Sequence, residues 1–297
     1  MKQYVAFFVL ALILLVHNAQ AQTYAFKVLV SKGKSEIKTP TDWEPLKTGT
    51  SLQLSDEIRV AQNSYLGLMP ADGQPIEVRE AKVYKVSDLV KKVSRGATAL
   101  NKYTDFILSK EEDKKGRLAA TGAVVRGIKG LIMLYLPEQD QAKVYGNRVV
   151  LQWNSEDVKG PYEVIFTNLM DDELGRYTTD QTSISVPITE GKFKNEANLM
   201  VKVIAKNKPG QGSKGYYIKK LKGKDRQEYD EKFKDASAGT SALDRYVMAG
   251  VYEENFLLID ALNAYHEAAT LAPDVELYKT AYDEFVKRLE SVLFKEE

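Results

Sequence analysis

Two short stretches decide how this chain folds: residues 199–205 read LMVKVIA, and residues 261–268 read ALNAYHEA. In the first, apolar side chains fall at every second position, the spacing that places them on one face of a β-strand. In the second, Ala261, Tyr265 and Ala268 follow intervals of four and three, which is the spacing of one face of an α-helix. This change of period near residue 222 predicts a multi-domain α+β protein with sheets in front and helices behind.

The alternating pattern also fills the first part of the chain. From residue 24 to about 80, apolar and polar residues alternate within short runs such as Phe26–Val30, Leu66–Leu68 and Ile76–Val78. Residues typical of turns separate these runs. Short strands at this spacing predict a compact antiparallel β domain. The period becomes helical from Val86 to about Lys115 and alternates again over residues 131–136. We therefore expect residues 22–137 to form one antiparallel β domain with inserted helices.

Part of this region resembles a known family. The run Trp43–Gly49, the strand Ile58–Val60 and the turn Asp72-Gly73 are similar to the pattern of periplasmic FecR-type domains. The resemblance covers residues 26–80 and implies a FecR-like domain. Ser55 departs from the pattern, because that family usually has Gly before its Asp.

Residues 138–222 show the clearest β pattern. About seven alternating runs over ~85 residues, with one inward-facing tryptophan at Trp153, are typical of an immunoglobulin-like β-sandwich. The runs Val149–Trp153, Pro161–Val164 and Val201–Ser213 resemble a fibronectin type III module. Leu199 stands where that family places its corner tyrosine, so the corner hydrogen bond is not expected.

The remaining chain is predicted to be helical, with a linker or helix over 223–239 and a helical domain over 240–297. Residues 242–273 resemble one tetratricopeptide repeat, that is, a pair of antiparallel helices, and a further amphipathic helix follows from Val275 to about Phe294. The residues that carry the resemblance are Met248, Ala249, Tyr252, Ala261, Tyr265, Ala268 and Pro273.

One repeat cannot cover its own apolar face, since helical arrays usually need three or more units. We therefore expect these helices to be covered by the sandwich, by a second copy of the chain or by another protein. Aromatic side chains are common anchors of such contacts. The candidate partner-binding residues are Tyr246, Tyr252, Tyr265, Tyr278 and Tyr282, and all of them except Tyr265 are expected to be exposed.

The first 21 residues read as a cleavable secretory signal. Lys2 precedes an apolar run from Val5 to Val16, and Ala19-Gln20-Ala21 supplies the small residues of a cleavage site. The alternative is a permanent anchor, although about 12 apolar residues are too few to cross ~30 Å of hydrocarbon. The sequence contains no Cys, so a lipoprotein anchor is excluded. These features predict a periplasmic or secreted protein with no membrane span after cleavage.

The amino-acid composition excludes several kinds of partner and functional site. The chain carries 42 basic and 41 acidic side chains, and this balance argues against nucleic acid as a partner. Without Cys, and with His266 as the one His beyond the signal, neither a thiol nucleophile nor a zinc site is available. We expect His266 to be a solvated surface residue. The run Asp171-Asp172-Glu173 lacks the alternate spacing of a calcium loop, so we interpret it as an acidic hairpin tip.

These observations predict no catalytic residue, no cofactor and no metal. The favoured function is that of an exported, non-catalytic interaction or scaffold protein of the Gram-negative cell envelope. Its expected partner is another envelope protein or a second copy of itself, bound through the C-terminal helices. Two alternatives stay open: a carbohydrate or cell-wall binding module, and a hydrolase of unknown type.

Overall fold

The change from strands to helices predicted near residue 222 occurs there in the computed structural model. The structure describes residues 24–94, 98–117, 131–137, 142–154, 158–234, 236 and 239–293. These residues form a mixed α+β fold in which several largely antiparallel sheets precede a mainly helical C-terminal part. The predicted α+β class is confirmed at this level. The signal predicted for residues 1–21 lies outside the described residues.

The first β unit contains two antiparallel sheets, with strand orders β4-β1-β6-β7 and β3-β2-β5-β8. Its strands are β1 Phe26–Lys32, β2 Ser35–Lys38, β3 Trp43–Pro45, β4 Ser51–Leu52, β5 Glu57–Val60, β6 Tyr65–Pro70, β7 Ile76–Val78 and β8 Lys82–Lys85. Apolar side chains from both sheets meet in one core, which includes Phe26, Leu52, Ile58, Leu66 and Leu68. Alternation along each strand supplies this core, because every second side chain points to the same face.

Strand β6 is buried on both of its faces, and this feature joins the sheet to the helices. Leu66 and Leu68 point into the β core, whereas Tyr65 and Met69 belong to the core formed with the C-terminal helices. Between them, a Cβ atom on Gly67 would lie 3.0 Å from a methyl group of Leu243. The glycine therefore permits a helix to approach the sheet closely.

The second β unit consists of two sheets with a common core. Its strands are β9 Met133–Leu134, β10 Lys143–Val144, β11 Arg148–Asn154, β12 Tyr162–Thr167, β13 Glu173–Thr179, β14 Ser183–Pro187, β15 Asn198–Ala205, β16 Lys208–Gly212 and β17 Tyr216–Lys220. One sheet has the order β14-β11-β9, and the other has the order β10-β17-β15-β12-β13, with β16 paired to β15. Trp153 from the first sheet and Phe166 from the second both lie in this core.

The structure corrects the predicted boundary between residues 137 and 138. Strand β9 pairs with β11 of the second unit, with Leu134 opposite Trp153. Ile132, Leu134 and Leu136 also belong to the core of that unit. An alternating apolar run shows that a strand forms, but it does not show which sheet the strand joins.

The helices are α1 Val86–Val90, α2 Thr98–Asn101, α3 Thr104–Arg117, α4 Gly223–Lys232, α5 Ala242–Glu254, α6 Leu258–Leu271 and α7 Glu276–Leu293. Helix α5 begins at a capping box, in which the Ser241 hydroxyl accepts from the Asp244 N–H and the Asp244 carboxylate accepts from the Ser241 N–H. Such a box satisfies two N–H groups that have no partner within the helix. Helices α5 and α6 pack as an antiparallel pair, and α7 packs against α6.

The C-terminal helices share one hydrophobic core with parts of both β units. This core combines side chains of α5, α6 and α7 with Leu29, Tyr65 and Met69 of the first unit and with Tyr103 and Ile107 of α2–α3. Ile259 of α6 belongs instead to the core of the second unit. The sequence predicted cover by the sandwich, and Ile259 does pack into the second β unit; the cover by the first β unit was not expected. We call α5, α6 and α7 the helical clamp.

Candidate interaction surfaces

The helical clamp contacts the first β unit through a buried pair of tyrosines. The hydroxyl oxygens of Tyr65 and Tyr278 lie 2.6 Å apart, and the two rings meet edge to face. The Arg79 guanidinium lies 4.4 Å from the centre of the Tyr65 ring. Burial raises the pKa of both phenols, so both stay protonated and able to donate. This hydrogen bond between two hydroxyl groups connects β6 to α7 inside an otherwise apolar core.

A second set of contacts fixes the clamp to the second β unit. The Asn263 side chain accepts a hydrogen bond from the Val150 N–H at 2.6 Å and donates to the Arg148 carbonyl at 2.6 Å. These are backbone groups of β11, beyond the two residues that pair with the short strand β9. The Asn263 side chain therefore pairs with backbone groups of β11 as a neighbouring strand would, and helix α6 covers this edge of the sheet. Covered edges cannot pair with foreign strands.

Asp260 of α6 lies beside this contact with only 3% of its surface exposed. Its two carboxylate oxygens accept hydrogen bonds from the Tyr145 N–H at 2.7 Å and the Gly146 N–H at 2.6 Å. A Cβ atom at residue 146 would lie 2.7 Å from Asp260 Oδ1, so glycine allows this approach. Burial raises the pKa of Asp260 to about 6, although the two N–H groups act in the opposite direction.

The structure places the candidate partner-binding tyrosines inside the chain. Tyr246, Tyr265, Tyr278 and Tyr282 are buried, and Tyr252 is partly buried. The Tyr265 hydroxyl donates to Glu253, and the Tyr282 hydroxyl donates to Gln152 of β11. The expectation that four of these tyrosines, all except Tyr265, are exposed is therefore wrong. Their apolar surface is covered by neighbouring helices and by the two β units.

Other sequence expectations concern His266 and metal or membrane binding. His266 is partly buried rather than fully solvated, because its ring packs 5.4 Å from that of Tyr282, and burial lowers its pKa. Within the described ranges, no group of three or more His, Asp or Glu side chains is arranged to hold a metal ion. In the same part of the chain, no helix has the length and apolar character needed to cross a bilayer.

The β12–β13 turn presents two large apolar side chains to solvent. Met170 is 85% exposed and Leu169 is 60% exposed. The turn is fixed by Asn168, whose side-chain oxygen accepts from the N–H groups of Met170 and Asp172 at 2.9 and 3.0 Å. Asp171 adopts a positive φ of 66°, a conformation that a short polar side chain tolerates. We call residues 168–172 the hairpin tip.

The charges around the hairpin tip are mainly acidic. Asp171 and Asp172 follow the two apolar residues directly, and both are exposed. Glu173 comes next and forms an ion pair with Arg176 at 2.6 Å, while Arg176 also contacts Glu163 at 2.7 Å. The tip therefore combines an exposed apolar pair with carboxylates at its base.

A different polar surface lies on the outer face of the sheet β3-β2-β5-β8. The Arg59 guanidinium lies 4.6 Å from the centre of the partly exposed Trp43 ring. Arg59 Nε also donates to Glu36 at 2.8 Å, which fixes the guanidinium in place. Trp43 is partly exposed on this face, and it does not belong to a core. Trp153 does lie in a core, as predicted.

Sequence reasoning identified the acidic turn but not its apolar pair. The sequence could have predicted this exposed pair. Leu169 and Met170 are consecutive apolar residues between Asn168 and Asp171, and large apolar residues are unusual inside a polar turn. Comparison of the chain with protein-family models and with curated proteins gives no match.

Proposed function

We propose that this chain is an exported, non-catalytic interaction or scaffold protein of the bacterial cell envelope. It contacts a protein partner through the hairpin tip rather than through the C-terminal tyrosines. In this proposal a FecR-like unit, a fibronectin type III-like sandwich and a tetratricopeptide-like helical pair form one chain. The sequence resemblances over residues 26–80, 149–213 and 242–273 support these three assignments.

The exposed pair Leu169 and Met170 is the observation that carries the proposal. Burying a Leu or Met side chain completely stabilises a contact by roughly 1.5–3 kcal/mol. The backbone of the tip is already ordered by the hydrogen bonds of Asn168, so binding orders few additional groups. A backbone that is already ordered loses little further conformational entropy on binding.

The acidic residues of the tip indicate the chemistry of the partner. Asp171 and Asp172 would stand at the rim of the contact once Leu169 and Met170 are buried. A complementary surface is therefore an apolar pocket with Lys or Arg at its edge. The same carboxylates disfavour insertion of the tip into a membrane, because the headgroups of acidic lipids repel them. The partner is accordingly a protein rather than a lipid surface.

The test is site-specific photocrosslinking in the cells that make the protein. The photoreactive residue p-benzoylphenylalanine replaces Met170 in one variant and Gln181 in another. Gln181 is a matched control, since it is exposed in the turn at the opposite end of β13. We expect one discrete protein adduct from position 170 and no such adduct from position 181.

A second variant measures the energetic contribution of the tip. With the crosslinked partner purified, the double substitution Leu169→Ser and Met170→Ser should weaken binding by about 3 kcal/mol, which is roughly a hundredfold. Unchanged affinity, or identical adducts from positions 170 and 181, would contradict the proposal. Both residues are exposed, so the thermal stability of the variant should match that of the wild type.

Binding of cell-wall glycans is a second candidate, favoured by the partly exposed Trp43 in contact with Arg59. A flat aromatic face next to charged hydrogen-bond donors suits a ligand with apolar and hydroxyl-bearing sides. Sedimentation with peptidoglycan tests this candidate. Loss of sedimentation in Trp43→Ala, with retention in the Leu169→Ser and Met170→Ser variant, would favour it over the protein-partner proposal.

A further inference from the structure

A cavity of about 450 Å³ lies where the first β unit meets the helical clamp. It is bordered by Lys32 at the end of β1, Arg79 directly after β7 and Asp274 in the loop before α7. Gln62 and Asn63, from the turn before β6, add exposed amide groups to its wall. The wall thus contains two cations, one carboxylate and neutral hydrogen-bonding groups.

Both cations are directed at a single oxygen atom. Lys32 Nζ and Arg79 Nη1 each lie 3.2 Å from Asp274 Oδ2. The hydrogen bond from Lys32 contributes most to lowering the pKa of Asp274, so this carboxylate is ionised. Asp274 balances one of the two positive charges, and Glu77, which lies 3.8 Å from Arg79 Nε, balances the other. The cluster is therefore neutral, and an added anion has to displace the Asp274 carboxylate to bind both cations.

The position of Arg79 is set by its neighbours rather than by the cavity. Its guanidinium lies over the ring of Tyr65 at 4.4 Å, and its Nε is 3.8 Å from a carboxylate oxygen of Glu77. These contacts hold the guanidinium in one orientation. Guanidinium groups fixed in this way recognise the two oxygens of a carboxylate.

Asp274 is the replaceable member of this cluster. Its side chain is 52% exposed and belongs to a loop, whereas Tyr65 and Glu77 hold Arg79 from the β unit. Ion pairs with this exposure contribute little to stability, since water screens them. A ligand carboxylate can therefore take the position of Asp274 Oδ2 while Asp274 turns towards solvent.

We propose that this cavity binds a small carboxylate ligand between Lys32 and Arg79, with Gln62 and Asn63 contacting amide or hydroxyl groups of the same molecule. This inference goes beyond the protein-partner function and uses a surface distinct from the hairpin tip. Two sources share the required chemistry: the terminal carboxylate of a short peptide and the carboxylate of an acidic sugar.

The experiment is an NMR titration of the full ¹⁵N-labelled chain that follows the backbone amides of residues 62–64 and 79. The probes are N-acetylglycylglycine and glucuronate, and their neutral counterparts are the dipeptide amide and glucose. We expect at least one carboxylate to shift these amides in a saturable way and its neutral counterpart to bind at least tenfold more weakly. The tighter of the two carboxylates identifies the source.

Two substitutions should change the affinity in opposite directions. Arg79→Gln removes a ligand contact and should weaken carboxylate binding tenfold or more. Asp274→Asn removes the competing carboxylate and should strengthen binding threefold or more. The matched control Lys82→Met removes a cation of the same β unit that pairs with Glu80 outside the cavity, and it should leave the affinity unchanged.

Several results would overturn the inference. If Lys32, Arg79 and Asp274 form only a structural ion pair, no carboxylate will bind, or Asp274→Asn will not bind more tightly than the wild type. Equal weakening by Lys82→Met and Arg79→Gln would show an effect of overall charge. Equal affinity for inorganic phosphate and the carboxylates would show an unselective anion site.

Discussion

Asp260 should make the protein more stable as the pH falls from 7 towards 5, which is the reverse of ordinary acid destabilisation. The carboxylate is 3% exposed, and burial raises its pKa from about 3.8 to about 6. The folded protein therefore binds a proton in a pH range where the unfolded chain does not. A group with a raised pKa stabilises the fold below the unfolded pKa and loses that effect as the pH rises through the folded pKa.

The size of the effect follows from the shift. One pKa unit corresponds to 1.36 kcal/mol, so a shift of about two units changes the free energy of unfolding by about 3 kcal/mol between neutral pH and pH below 4. About 1.3 kcal/mol of this falls between pH 7 and pH 5. His266 acts in the opposite direction, because burial lowers its pKa and the unfolded chain binds that proton more readily.

The wild type and the Asp260→Asn variant both contain His266, so the difference between their free energies of unfolding at each pH does not include its contribution. The amide does not titrate, and its loss of one backbone hydrogen bond is independent of pH. We expect urea unfolding to show that the wild type gains about 1.3 kcal/mol relative to Asp260→Asn between pH 7 and pH 5. Asp283→Asn is the control, because Asp283 is exposed on the neighbouring helix α7 and should keep the wild-type dependence. Parallel pH profiles for the wild type and Asp260→Asn would refute the reasoning.

Three further predictions concern the clamp and the signal. Tyr65→Phe and Tyr278→Phe should each lower the free energy of unfolding by about 1–2 kcal/mol, and the double variant should cost less than their sum, because each single change removes the same hydrogen bond between the two hydroxyls. A fragment of residues 240–297 should be oligomeric or poorly folded, since it loses the β units that cover its tyrosines; a monomer that melts cooperatively would contradict this. If the predicted signal is cleaved after Ala21, the intact mass of protein purified from cells should correspond to a chain that begins at Gln22, and a retained signal would indicate an anchor.

The periodicity of the sequence was sufficient for the type of most long elements, although it did not predict β13, whose residues do not alternate between apolar and polar. Alternation predicted the strands around Trp153 and Val201, and the three-to-four spacing predicted the helices around Met248 and Tyr265. Periodicity shows which side of an element is apolar, but it carries no information about what covers that side. The tyrosines were therefore expected at a surface, although the chain itself buries them.

The burial of strand β6 on both of its faces could have been predicted from its sequence. Its run Tyr65–Pro70 is apolar or small at every position, which is typical of a strand buried on both faces. The prediction used only Leu66 and Leu68, the half of the run that alternates towards the β core. Tyr65, Gly67 and Met69 already indicated that something packs on the other face, but only the structure identifies the helices there.

The burial of the clamp determines where a partner can bind without unfolding the chain. A partner that used Tyr246 or Tyr278 as anchors would have to separate α5 and α7 from β6, and breaking the Tyr65–Tyr278 contact would expose the core shared with the first β unit. The hairpin tip requires no such rearrangement, because Leu169 and Met170 are already exposed on an ordered turn. The same helices that were expected to bind a partner therefore act within the chain, where they fasten both β units and leave the tip at the surface.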